Sequence, residues 1–186
     1  FERHPIAAHD SALGHVTGTA PFLEDLPLPH DALVDGFVGS KVASGKLLKI
    51  DGSEAQKVPG VVAIFTAHDI PGENFFGPHF RDEPVLAEKE VLYVGQPVVC
   101  VVAESQQALL EARDKVAIQI EATEPILSIE RSIELGRFIG PGRRIITGDA
   151  RAEIDKAPRK LSGVFQIGGQ EQFYLESQAA IAYPGE

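Results

Sequence analysis

Methionine and tryptophan are absent from the 186 residues, and cysteine occurs once. A single thiol excludes an internal disulfide framework and any zinc site built on paired cysteines. Cys100 sits inside Pro97-Val98-Val99-Cys100-Val101-Val102, so it is expected to be a buried strand thiol rather than a nucleophile or a ligand. No apolar run approaches the roughly 20 residues that a membrane-spanning helix requires, and no charged and apolar leader opens the chain. The expectation is a soluble, cytoplasmic protein without a membrane partner. Basic residues are also scarce, 17 against 27 acids, for a formal charge of −10 and a pI near 5.1. Nucleic-acid binding needs clustered cations to displace phosphate counterions, so that partner is excluded as well. A chain without methionine does not carry its natural start, and the expectation is a piece of a longer polypeptide.

What is present is an ordinary globular composition with 44% apolar residues. A domain of this size buries roughly 70% of the surface its unfolded chain exposes. Phe1 to Leu26 mixes turn formers with His4, His9 and His15 and reads as extended chain. Histidine spacings of five and six, without cysteine or paired carboxylates, fit neither a helical i,i+4 pair nor a zinc knuckle. Leu33–Ser40 and Leu47–Ile50 read as strands. Ser53 is placed to cap a short helix ending at Pro59-Gly60. The continuous β-branched run Val61–Phe65 predicts a strand covered on both faces. Thr66 opens a turn, with one helical turn over Ala67–Ile70.

Residues 71 to 84 hold three prolines, two glycines and three phenylalanines, a loop composition usual for functional or interface segments. Val91–Val94 and Pro97–Ala103 read as two strands around a Gly95-Gln96 turn. Ser105 is placed to cap a helix to Lys115 that buries a stripe through Ala108, Leu109, Ala112 and Val116. Val116, Ile118 and Ile120 then alternate with polar or small residues, the period of a half-buried strand. Strand, helix and strand in that order predict a crossover with parallel pairing. Ser128 is expected to cap a short helix ending at Gly136, and Asp149 another over Ala150–Ala157. Gly140-Pro141-Gly142-Arg143-Arg144 lacks the Gly-Lys-Ser/Thr of a phosphate loop and reads as linker.

Lys160–Ile167 has the bulky, β-branched make-up of a strand, and Gly168-Gly169-Gln170-Glu171-Gln172-Phe173-Tyr174-Leu175-Glu176 follows it. Adjacent glycines after a strand permit positive φ or close approach of a ligand. The spacing leaves two readings open: an amide presented at the mouth of a pocket, or a bulge followed by core aromatics. Glu171 and Glu176 are five apart and fall on different faces of either helix or strand, which disfavours a paired acid and base.

This last segment closely resembles one in the molybdenum hydroxylases, the family of xanthine dehydrogenase, aldehyde oxidase and the large subunit of carbon monoxide dehydrogenase. Three further patches resemble that family in the same order: Asp10–Ala20 with Leu23–Pro27, Ile70–Asn74 with Gly77-Pro78 and Asp82–Ala87, and Val91–Ala103. The resemblance implies an α+β chain. Residues 1–10 would be a lead segment, 11–135 an α/β-hammerhead domain, 136–160 a linker, and 161–186 the first strands of the molybdopterin-binding domain. It implies that Gln170 lies beside the molybdenum and hydrogen-bonds its oxo group, the one cofactor-binding and metal-site residue in this chain. Gln172 stands where the family usually has histidine.

The whole enzyme implied would hydroxylate a purine-type heterocycle or an aldehyde, with water as the oxygen source. Asn74 after Pro71-Gly72 tilts the resemblance toward xanthine dehydrogenase. Electrons would leave through iron–sulfur clusters and FAD on other domains or subunits, against which the opening segment would pack. No catalytic residue falls within these 186 residues, and the piece alone is expected to hold no cofactor. Its tail, lacking a sheet, is expected to pair with a second copy or stay unpaired. A purely assembly-related role is the rival reading.

Overall fold

The computed structural model describes residues 9–77, 80–174 and 178–183. It divides into two compact units, one of residues 29–141 and one of residues 1–28 with 142–186.

In the second of these, Phe1–Leu26 is not extended throughout. Helix α1 (Ala12–Thr17) ends at Gly18, whose φ of 73° closes it in the left-handed region. A 3₁₀ turn at Leu23–Asp25 follows, and the Asp25 carboxylate accepts from the Phe22 amide at 3.0 Å. Near the other end, the Asp149 carboxylate accepts from the Ala152 amide and opens helix α4 (Ala150–Lys156), as expected.

The 29–141 unit begins with β1 (Val34–Gly39) and β2 (Gly45–Asp51). Ser53 does not cap what comes next. Its amide and hydroxyl both donate to Asp51, and the 3₁₀ turn Ala55–Lys57 starts beyond it without a side-chain cap. Then come β3 (Val61–Phe65), the two-residue strands β4 (Phe75–Phe76), β5 (Glu83–Pro84) and β6 (Glu90–Val91), and the seven-residue β7 (Pro97–Ala103). Helix α2 (Gln106–Lys115) leads to β8 (Ala117–Ala122), and α3 (Ile129–Glu134) closes the unit. Ser105 and Ser128 cap α2 and α3 by accepting from the amides of Ala108 and Arg131.

Two three-stranded sheets result, ordered β1-β7-β3 and β6-β2-β8, with β4 and β5 forming a separate ribbon. All these pairings are antiparallel. Three expectations therefore change. The β7-α2-β8 passage is no parallel crossover: it carries the chain from one sheet to the other, and β8 pairs with β2. Likewise the strand expected over Val91–Val94 is cut to Glu90–Val91, and this β6 pairs with β2 while β7 inserts between β1 and β3. Finally, β3 is an edge strand with Val62 and Phe65 nearly half exposed, so its apolar run is covered on one side only.

The core follows from β7. Val98, Val99 and Val101 are fully buried, and each contributes about 1.5–3 kcal/mol relative to an exposed side chain. Ala108, Leu109 and Ala112 of α2 bring the helix onto the face that carries Val101. Gly36 opposes Val101, and a Cβ there would sit 3.2 Å from the Leu109 side chain. Ile118 and Ile120 of β8 meet Ile50 and Leu47 of β2 in register and extend the core to the second sheet. Where the chain crosses between sheets, backbones nearly touch. A Cβ on Gly39 would lie 2.6 Å from the Gly95 carbonyl oxygen. Gly39→Ala is expected to destabilise the protein by about 1–3 kcal/mol through forced backbone displacement, read as a lower midpoint in chemical unfolding. An unchanged midpoint would show that the crossing is loose.

Candidate functional site

The strand expected over Lys160–Ile167 does not form among the described residues, since no segment pairs with it. A strand takes its stability from ladder bonds and cross-strand contacts, and neither is supplied here. Leu161, Val164, Phe165 and Ile167 are accordingly exposed. Gly168 and Gly169 keep ordinary φ values, and a Cβ built on either would meet nothing within 4 Å. The positive φ falls instead on Phe173, at 56°. Gln170 is exposed, as are Phe173 and Tyr174, so the reading in which these aromatics are core does not hold. Leu175 and Glu176 lie outside the described residues. Open space around the glycines leaves the Gln170 carboxamide accessible to a group approaching from outside, with its N–H donors and its acceptor oxygen free of crowding there.

No group of three histidine, cysteine or acidic side chains comes together among the described residues. His9 is engaged locally with Ser11, its Nδ1 accepting from the Ser11 amide at 3.3 Å, and the His15 ring meets Phe22 edge-on at 6.4 Å. His4 lies outside the described residues. Cys100 is half-buried on β7, facing Phe37 and Phe65 in register. Burial, and next the nearby Asp35 carboxylate, push its thiol pKa up, the opposite of an activated nucleophile.

The polar groups whose bonding roles the sequence did not reveal gather around the 71–96 segment. Asn74 acts as a surrogate strand: its amide donates to the Leu86 carbonyl at 2.7 Å, and its side-chain oxygen accepts from the Leu86 amide at 3.0 Å. Gln96 is buried, and its side-chain oxygen accepts from the Leu92 amide at 2.6 Å, closing the turn in which Gly95 adopts a φ of 88°. Ser40 joins the same crossing, its amide donating to the Gln96 carbonyl and its carbonyl accepting from the Gly95 amide. An isolated Asn in a Pro-Gly loop, and a Gln between Gly and Pro, were the available signals. Both side chains bond to backbone groups and mark the architecture of the segment.

This frame matches known proteins. Residues 17–124 fit the family described as aldehyde oxidase and xanthine dehydrogenase, a/b hammerhead domain. The chain belongs to this family. Xanthine dehydrogenase/oxidase of Gallus gallus is 39% identical over 176 residues, 95% of this chain and 13% of that protein. Aldehyde oxidase 4 of Cavia porcellus is 38% identical over 182 residues, 97% of this chain and 13% of that protein. Among solved structures, the aldehyde oxidoreductase of Desulfovibrio gigas superposes with a TM-score of 0.60 at 28% identity, covering 66% of this chain and 15% of that one. A Cu,Mo-CO dehydrogenase superposes at 0.59 with 26% identity, covering 68% and 16%. The hammerhead and its flanks thus span about 13% of the length of these curated relatives.

Two measurements check the hammerhead frame. Asn74→Ala removes both bonds to Leu86 and is expected to speed exchange of the Leu86 amide at least tenfold while the β7 amides stay protected. Asp51 accepts from the Ser53 hydroxyl, then the Ser53 amide, and from Lys49, which hold its carboxyl well below the ordinary value of about 3.9. A depressed folded pKa stabilises above the unfolded value and is lost as pH falls. Thermal stability should therefore decline from about pH 4 downward less steeply in Asp51→Asn than in the parent, and parallel pH curves would show that Asp51 contributes nothing.

Proposed function

We propose that the chain is the hammerhead and the opening of the molybdopterin-binding region of a molybdenum hydroxylase, with its divisions at 11–135, 136–160 and 161–186. The proposed reaction is that of a xanthine dehydrogenase, oxidative hydroxylation of a purine-type heterocycle with oxygen from water. The observation that carries the family reading is the hammerhead match, supported by relatives named as xanthine dehydrogenases and aldehyde oxidases at nearly equal identity. The Ile70–Asn74 resemblance favours the heterocycle. An aldehyde substrate is the second reading, supported by the superposition on an aldehyde oxidoreductase. Iron–sulfur and FAD domains or subunits are the proposed assembly partners. The acidic surface and the lack, among the described residues, of any helix able to cross a membrane accord with a cytoplasmic enzyme.

When bound, the molybdenum–pterin group supplies the redox chemistry. The share of this chain is small and physical. Gln170 has a neutral amide that donates without adding charge, so it can orient an oxygen of the group without altering its electron count. The double glycine before it carries no side chain that would obstruct the approach.

In the full-length enzyme Gln170→Ala is expected to lower turnover more than tenfold, about 1.4 kcal/mol of barrier, with molybdenum content unchanged. Turnover retained within a factor of about three, roughly 0.7 kcal/mol, would reduce the amide to a structural role. The 186-residue chain by itself is expected to purify without stoichiometric molybdenum, and a one-to-one metal content by elemental analysis would overturn that assignment.

A further inference from the structure

Part of the hammerhead core stays open along the side of α2. Val38, Val42, Val116, Ile118 and Ile120 pack against the buried core, yet they also line a groove of about 690 Å³. That volume is of the size, roughly 300–1,000 Å³, of clefts that enclose a ligand. Ile118 and Ile120 reach it because they occupy the inward face of β8, while Leu110 stands outside the buried stripe of α2 and remains half exposed on the groove wall. Water contact with this apolar floor is unfavourable, and burial under an occupant would remove that cost.

The rim supplies the second observation. Lys41, Arg113 and Asp114 stand around the groove. Among the described residues neither Lys41 nor Arg113 has a carboxylate within ion-pair distance, whereas their neighbour Lys115 is paired with Glu111 at 2.7 Å. Two open cations against one acid, in a chain carrying ten more acids than bases, make this rim complementary to a carboxylate. The apolar floor and the cationic rim together define an amphipathic occupant.

We propose that this groove docks a polypeptide segment of the same enzyme from outside these 186 residues, one that sets aliphatic or aromatic side chains on the Val38–Ile120 floor and a carboxylate between Lys41 and Arg113. The proposal rests on the reading of the chain as the hammerhead of a longer hydroxylase. Polypeptide is favoured over a free amphiphile because the floor is continuous with the core and therefore completes it, as one layer of a domain interface does.

The test is zero-length carbodiimide coupling of the purified full-length enzyme, followed by peptide mass spectrometry. The expected product joins Lys41 to an aspartate or glutamate outside residues 1–186 within one polypeptide or one assembled complex. Arg113→Glu should lower its yield at least fivefold and raise acetylation of Lys41 by N-hydroxysuccinimidyl acetate by a similar factor. A Lys41 coupled only within residues 1–186, coupled between two copies of this chain, or left uncoupled overturns the proposal. The molybdenum content and turnover of the same preparation separate the two readings. An active, metal-replete enzyme without the adduct defeats the groove assignment alone, and a metal-free, inert enzyme defeats the functional reading.

Discussion

The central position of β7 is the constraint on which the 29–141 unit depends. It is the one strand that both β1 and β3 pair with, it carries three fully buried valines, and α2 lies against it. Its start is fixed by backbone contacts at the crossing of Gly39, Ser40, Gly95 and Gln96, where a side chain on Gly39 would have no room. Pro97 begins the strand, the position where a missing N–H costs no ladder bond. The same crossing passes the chain from β1 toward β2 and from β6 into β7, while α2 carries it on to β8.

The two ends of the molecule differ in how they obtain order. The hammerhead has sheet pairing, a helix on one face and capped termini. Residues 160–167 have a strand-like composition with no partner among the described residues, and their apolar side chains are left in solvent. Composition alone does not order such a segment, because backbone entropy of about 1–2 kcal/mol per residue has to be offset by ladder bonds and burial. This contrast fits the proposed division of labour, in which the hammerhead is a scaffold in its own right and the Gln170 segment becomes organised by the rest of the enzyme.

What could be read from the residues was mostly local. Ser105, Ser128 and Asp149 were legible as caps because a cap depends on a hydroxyl or carboxylate three positions before an amide. The inward alternation of Ile118 and Ile120 was legible for the same reason. Pairing was not, since β7 and β8 look like neighbours in a crossover until β2 claims β8, and this preference is set by a strand some 70 residues earlier. The apolar run of β3 resembled a central strand because covering one face well and the other poorly leaves the same β-branched signature. Ser53 lost its capping role to a competing local geometry, an acceptor two residues upstream at Asp51. For Gln170, the residue pattern carried the family resemblance, and the role proposed for its amide rests on that resemblance.

The Asn74 clip has a consequence for how this fold can vary. Because one carboxamide imitates a backbone edge and holds both polar groups of Leu86, the residues between them are excused from making those bonds. Insertions, deletions and new side chains between β4 and β5 can then accumulate at small energetic cost, provided that the amide at the base and the β4–β5 pairing are kept. The segment is a natural place for relatives to diverge in surface and in neighbours while the framework beneath stays the same.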